Sequence, residues 1–155
     1  MQGLGAFARY PIPEGMRLIE YAGERLTPEQ ADARYPDVPG ETHHTMLFAI
    51  DDAAVVDAAV DGNEARFINH SCMPNCDAVI DDGRIWIEAL RDIEVGEELA
   101  YDYAYQLQER HTPRLKRQYP CYCGSRECRG SILTPKKPKS HKPKTRLSHS
   151  PIECS

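Results

Sequence analysis

Apolar residues fall in short runs along this chain, separated by charged and turn-forming residues. Leu18-Ile19 lies between Arg17 and Glu20-Tyr21, which predicts a strand over Arg17–Tyr21, ended by Ala22-Gly23-Glu24. Met46–Ile50 and Ala54–Ala58 predict two strands around an Asp51-Asp52 turn. Val79-Ile80, then Asp81-Asp82-Gly83, then the alternation of Arg84–Ala89 predict a β-hairpin over Cys76–Arg91. Asp-Gly at its tip favours a type I′ turn. After a turn at Asp92–Gly96, a further strand is predicted over Glu98–Tyr103. One helix start is legible: Thr27 as N-cap, Pro28 at the first helical position and Gln30 closing a capping box. That helix is expected to run to about Tyr35 and stop at Pro36. Residues 106–119 are polar and basic, with helical spacing ahead of Pro113. Many short strands with few helices predict a mainly β fold built from several small sheets.

A length of 155 residues suits one domain, large enough to bury a core without disulfides. No apolar run approaches a membrane span, so no membrane partner is expected. The first residues lack a basic-then-apolar secretory pattern, and an intracellular location is the expectation. The charge is split. Residues 1–133 hold 13 Lys/Arg and 23 Asp/Glu, whereas residues 134–155 hold 6 Lys/Arg and one Glu. An acidic body suits a basic partner and equally suits plain solubility. The tail is rich in Lys, Pro, Ser and His and is expected to be disordered. Its basic residues offer at most a weak, salt-sensitive contact with nucleic acid.

Six cysteines change the picture. Cys121-x-Cys123 followed by Cys128 reads as metal ligation rather than as a disulfide framework, since a C-x-C pair is too close for an unstrained bridge. Structural zinc takes four tetrahedral ligands, commonly thiolates, so a fourth must come from elsewhere. Cys72 and Cys76 both stand in another polar stretch, Arg66–Cys76, which packs Asn69, His70, Ser71 and the two thiols around Pro74. Pro74 and the Asn and Ser residues beside it favour turns over continuous helix or strand. Cys154 reads as a tail thiol. His43 and His44 read as a solvated loop pair. Gly3-Leu4-Gly5 lets the backbone approach a ligand closely, although alone it is more often a plain turn.

Taken in order, Gly3-x-Gly5, Arg66–Cys76, Glu97–Tyr103 and Cys121–Gly130 closely resemble the signature of the SET-domain protein methyltransferases with a post-SET zinc segment. The resemblance runs from about Gly3 to Leu133. It implies a mainly β SET-domain fold over residues 1–105, with a pseudoknot bringing Asn69-His70 beside Tyr101–Tyr103. It further implies a connector over 106–120, a post-SET zinc segment over 121–133 and a basic tail over 134–155. The implied activity is methyl transfer from S-adenosylmethionine to a lysine of a basic protein, such as a histone or a DNA-binding protein.

The resemblance also implies roles by position. Tyr103 is the catalytic tyrosine, and Tyr101 stands where the family carries Tyr or Phe; a tyrosine there favours mono- or dimethylation. Gly3, Leu4, Gly5, Asn69 and His70 face S-adenosylmethionine, and Leu133 or Ile132 packs on its adenine. Zn2+ is held by Cys72, Cys121, Cys123 and Cys128, with Cys76 a buried small residue. The family often has a tyrosine two residues before Phe48, where this chain has Met46, so the lysine channel has a softer wall or another tyrosine fills in. The location expected is the cytoplasm of a bacterium or the chromatin of a eukaryote, and small size leans toward the former. Two other readings stand beside the enzyme: a SET-like binding module without turnover, and a zinc module with weak nucleic-acid binding through the tail.

Overall fold

The computed structural model describes residues 4–36, 46–105 and 110–134. Two antiparallel-rich sheets carry it, as the run of short strands predicts. The larger has the order β1-β7-β6-β8-β5, from β1 (Arg17–Glu20), β5 (Asn69–His70), β6 (Cys76–Asp81), β7 (Arg84–Ala89) and β8 (Ala100–Tyr101). The smaller has the order β2-β4-β3, from β2 (Glu24–Leu26), β3 (Leu47–Ala49) and β4 (Val55–Asp57).

The β6–β7 hairpin forms as read. Asp82 has φ 51° and Gly83 has φ 71°, the double positive φ of a type I′ turn, while Asp81 pairs with Arg84. Its inward residues Ala78, Ile85, Ile87 and Ala89 are buried with Phe48, Ala58, Ile68 and Ile93 in the main core. Each large aliphatic side chain so buried contributes about 1.5–3 kcal/mol.

Helix α1 (Pro28–Arg34) has the expected capping box, with Thr27 Oγ1 accepting the Gln30 N–H at 3.2 Å and Gln30 Oε1 accepting the Thr27 N–H at 2.8 Å. Its last turn is anchored by a solvent-inaccessible carboxylate on β4. Asp57 Oδ2 accepts from Arg34 Nη1 and from the Tyr35 hydroxyl, each at 2.9 Å, and Oδ1 accepts the Ala59 N–H at 3.0 Å.

The helical spacing read ahead of Pro113 falls mostly on residues 106–109, outside the described residues, and a helix that was not foreseen, α2 (Pro113–Gln118), opens at that proline, with Thr112 Oγ1 accepting the Leu115 N–H. Proline at the first helical position loses no intrahelical bond. Three expectations need correction. The stretch after Gly23 is not only a turn, since β2 follows it at once. The Arg66–Cys76 stretch is more regular than its turn residues suggest: a 3-10 helix over Glu64–Phe67, capped by Asn63, leads into β5. Finally, the Glu98–Tyr103 strand shrinks to Ala100–Tyr101. Asn75 replaces part of its ladder, for its side chain donates to Glu98 O and accepts the Ala100 N–H, both at 2.9 Å. Beyond Tyr101, Ala104 turns the chain at φ 46°.

β8 lies between β6 and β5 and pairs in parallel with both, so Asn69 sits opposite Ala100 and His70 opposite Tyr101. This is the side-by-side placement of Asn69-His70 and the tyrosine segment that the resemblance implies. His43, His44, Gly3 and the basic tail beyond Thr134 lie outside the described residues.

Candidate functional site

The site grows around β8. Tyr101 is buried, and its ring stands 4.9 Å from that of Tyr103 and 6.2 Å from that of Phe48. Phe48 in turn lies 5.4 Å from Tyr21, and Tyr103 lies 5.3 Å from His70. The result is a continuous wall of rings from β1 to β5. The Tyr103 hydroxyl donates to Ile68 O at 2.7 Å, which fixes its direction. Met46 does not leave the wall open. The Tyr21 hydroxyl donates to Met46 O at 2.8 Å, so a tyrosine from the end of β1 stands beside this position.

His70 is spent on the protein itself. Its Nδ1 accepts the backbone N–H of Tyr103 at 3.0 Å, and its Nε2 lies 3.4 Å from Cys72 Sγ. Burial takes the imidazole down to about 4, against the pull of Asp102, so the ring is neutral at neutral pH. With Nδ1 accepting, the ring proton sits on Nε2 and faces the sulfur.

Asn69 faces the other way. Its amide donates to Glu98 Oε2 at 2.8 Å and to Leu4 O at 3.3 Å. The N-terminal segment is thereby laid along the same edge: Leu99 N–H donates to Ala6 O at 2.7 Å, and Phe7 bridges to Glu98. Gly5 is needed here for space rather than for φ. A Cβ on it would lie 2.7 Å from Glu98 Oε2 and 3.2 Å from the Phe7 ring. The backbone of Leu4 and Gly5, Asn69 and Glu98 thus form one polar edge beside the ring wall.

The cysteines converge. The sulfurs of Cys72, Cys121, Cys123 and Cys128 all lie within 4.8 Å of one another, and Cys72 and Cys121 are 3.7 Å apart. Thiolates at about 2.3 Å from a tetrahedral zinc stand about 3.8 Å apart, so the set fits such an ion. Backbone N–H groups of Arg129, Cys123 and Gly130 point at Cys72, Cys121 and Cys128 respectively, at 3.3–3.4 Å. Donors aimed at sulfur suit thiolates rather than thiols. Burial raises the Cys72 and Cys121 thiols, whereas Cys123 is brought down to about 5: burial opposes the shift, and hydrogen bonds, among them one with the Ser125 hydroxyl at 3.2 Å, outweigh it. Cys76 stands apart, buried on β6 and outside this group of four sulfurs, and burial pushes its thiol up to about 11.

The cysteine segment is stitched to the ring wall. Tyr105 N–H donates to Ile132 O at 3.1 Å and Thr134 N–H to Tyr105 O at 2.8 Å. Tyr105 also stacks on Tyr119 at 5.5 Å. Leu133 is only 2% exposed, while Ile132 keeps a half-buried side chain, so of the two Ile132 has surface left for a ligand. Arg66 lies over the Phe67 ring at 4.7 Å. Sequence reasoning missed four residues that the geometry brings in: Tyr21, Glu98, Asp102 and Arg129. Glu98, Asp102 and Arg129 sit inside the motifs and Tyr21 at the end of the first predicted strand, but nothing in their spacing marks a long-range partner. Among the described residues, no helix is long and apolar enough to cross a membrane.

Comparison with known proteins agrees with this site. Residues 3–104 match the SET domain family model. The chain is 43% identical over 133 residues to a "Histone-lysine N-methyltransferase, H3 lysine-4 specific" of Chaetomium globosum, covering 83% of this chain and 12% of that protein. It is 41% identical to "Histone-lysine N-methyltransferase trithorax" of Drosophila virilis, covering 83% of this chain and 3% of the relative. Against "Histone-lysine N-methyltransferase trr" of Drosophila melanogaster it is 38% identical, with 83% and 5% covered. The chain therefore spans a small part of the length of these relatives.

Proposed function

The chain belongs to the SET-domain family, and from that premise we propose that it is a protein-lysine N-methyltransferase acting on a basic protein segment, with a histone tail as the first candidate. The observation that carries this reading is the meeting of Tyr101 and Tyr103 with the Asn69–Glu98–Leu4 edge and with a cluster of four cysteine sulfurs. S-adenosylmethionine, when bound, supplies a methyl group on a sulfonium. Leu4, Gly5, Asn69 and Ile132 are the groups of this chain best placed to hold it, with the backbone of His70 completing the edge and the buried Leu133 next to Ile132.

A lysine must lose its proton before it can attack carbon. A lysine channel along the rings of Tyr21, Phe48, Tyr101 and Tyr103 would favour the neutral amine by desolvation. It also holds the amine in line, which supplies much of the rate. Tyr103 acts by orientation: its hydroxyl is already committed to Ile68 O. Tyr101 narrows the channel, which supports mono- or dimethylation. Cys72, Cys121, Cys123 and Cys128 would hold a structural zinc that pins the segment over 121–133 against the tyrosines.

The names of the relatives support a histone H3 tail as substrate and a eukaryotic nucleus as the place of action. The acidic body, with 23 Asp/Glu against 13 Lys/Arg in residues 1–133, suits such a basic partner. The test incubates the purified protein and a Tyr103→Phe variant with methyl-labelled S-adenosylmethionine, histone H3 and a panel of other basic proteins. Label in lysine that falls at least about tenfold in the variant supports the proposal. Cofactor binding with no label in any protein of the panel would instead favour a binding module.

A further inference from the structure

Arg129 lies between a zinc-ligand position, Cys128, and Gly130, yet its bonds run out of the cysteine segment. Its backbone N–H donates to Cys72 Sγ at 3.3 Å. Its guanidinium forks onto Asp102, Nη1 to Oδ2 at 2.7 Å and Nη2 to Oδ1 at 3.1 Å. The two side chains are 22% and 32% exposed, so the pair is partly shielded from water. A bidentate fork of this kind fixes direction as well as distance. Arg129 Nε is buried with no partner among the described residues, so the side chain holds the fork while leaving one N–H unpaired.

Asp102 stands between the two tyrosines and does a second thing. Its Oδ1 accepts the N–H of Ala104 at 2.9 Å. Ala104 has φ 46°, a left-handed conformation that a residue with a Cβ avoids unless its surroundings impose it. The turn that follows Tyr103 is therefore held by Asp102, and Asp102 is held by Arg129. Directly before this turn, Tyr103 N–H donates to His70 Nδ1 at 3.0 Å.

We propose that Arg129 is a positioning residue for Tyr103: through Asp102 it keeps the strained turn at Ala104 in place, and so couples the metal-binding segment to the direction of the catalytic hydroxyl. Its function in catalysis rests on the methyl-transfer reading above, whereas its hold on the turn does not. A residue that merely stapled the cysteine segment would act through metal retention. A positioning residue acts at Tyr103 with the metal still bound.

The experiment uses zinc-loaded protein of residues 1–155, as wild type, Arg129→Lys and Arg129→Lys with Ala104→Gly. Lysine keeps the charge and loses the fork; glycine removes the penalty of positive φ. Zinc content is measured for each, with amide exchange by NMR at Tyr103, Ala104 and, as a reference, Ile85 and Ile87. Arg129→Lys is expected to keep its zinc, to speed exchange at Tyr103 and Ala104 about tenfold, and to leave the hairpin amides unchanged. The rate constant kcat for methyl transfer should fall with it while the KM for S-adenosylmethionine stays level, and Ala104→Gly should recover both kcat and Tyr103 protection. Unchanged exchange at Tyr103 in Arg129→Lys, or zinc lost in step with the protection, overturns the proposal. Absence of methyl transfer by the wild type would overturn the enzyme reading instead, and the exchange comparison would still decide whether Arg129 holds the turn.

Discussion

His70 Nδ1 accepts the backbone N–H of Tyr103 at 3.0 Å, so the imidazole of the Asn-His pair serves the tyrosine segment. Removing it leaves that N–H without its partner in a partly buried place, at a cost of about 1–3 kcal/mol. His70→Leu should therefore lower the urea midpoint by an amount equivalent to about 2 kcal/mol. His70→Asn, which can offer an amide oxygen, should lose less than half of that. Equal losses in the two variants would mean that the acceptor at Nδ1 is not what stabilises the segment.

Metal removal should act on the whole fold and not only on one loop. The thiolate cluster joins β5 to the segment over 121–133, and structural zinc contributes folding free energy directly. Stripping it with a strong chelator should lower the thermal midpoint by on the order of 10 °C for a domain of this size. Cys128→Ser should move it in the same direction, and Cys76→Ser should leave zinc content unchanged. Calorimetry with elemental analysis reads both, and a midpoint that ignores the chelator would count against a structural zinc.

Gly5→Ala places a Cβ 2.7 Å from Glu98 Oε2, close enough to push the carboxylate away from the Asn69 amide. Because the contact is to the end of a side chain, stability should change by less than about 1 kcal/mol. Affinity for S-adenosylmethionine should drop about fivefold to tenfold, the equivalent of about 1 kcal/mol. Isothermal titration gives the affinity and denaturant melts give the stability. A large loss of stability with intact affinity would remove the N-terminal segment from the binding edge.

Asp57 contributes an acid limb to the stability of the fold. Burial favours its neutral form, but the Arg34 guanidinium, the Ala59 N–H and the Tyr35 hydroxyl outweigh this and hold the carboxyl below its ordinary 3.8. A folded value below the unfolded one means that the unfolded chain binds the proton more readily. The stabilisation is thus fully present above about pH 3.8 and is lost as pH falls through the folded value. Asp57→Asn should destabilise at neutral pH by about 1–3 kcal/mol, because a neutral amide replaces the buried acceptor of three hydrogen bonds, while Arg34 keeps Glu24. It should also flatten the fall in stability below pH 4. A variant with an unchanged acid limb would show that other carboxylates set it.

Local chemistry was legible in the sequence and long-range pairing was not. The Thr27–Gln30 box and the Asp82-Gly83 turn were readable because both rest on residues no more than three apart. The cysteine set and Tyr103 came through a motif whose order is specific. The end of β8 was misjudged because it is decided by Asn75, 25 residues earlier, and by the turn at Ala104, which no propensity of alanine foretells. The start of α2 at Pro113 was not foreseen because proline stops a helix from within but starts one at its first position, and the Thr112 cap is what tells the two apart. Tyr21 was hidden for the same reason as Asn75, since its partner Met46 is 25 residues away.

The place of β8 between β6 and β5 has a consequence for how the chain reaches this state. The two outer neighbours are made earlier in the sequence, and neither pairs with the other. Until residues 100–101 arrive, each keeps a row of unmatched backbone groups facing a gap. Parallel insertion into such a gap is a non-local event that must cross a large loop-closure barrier before any gain is felt. Folding should therefore be slow and should finish at the tyrosines, so a newly made chain passes through a stage in which its sheet is open where its chemistry will later be.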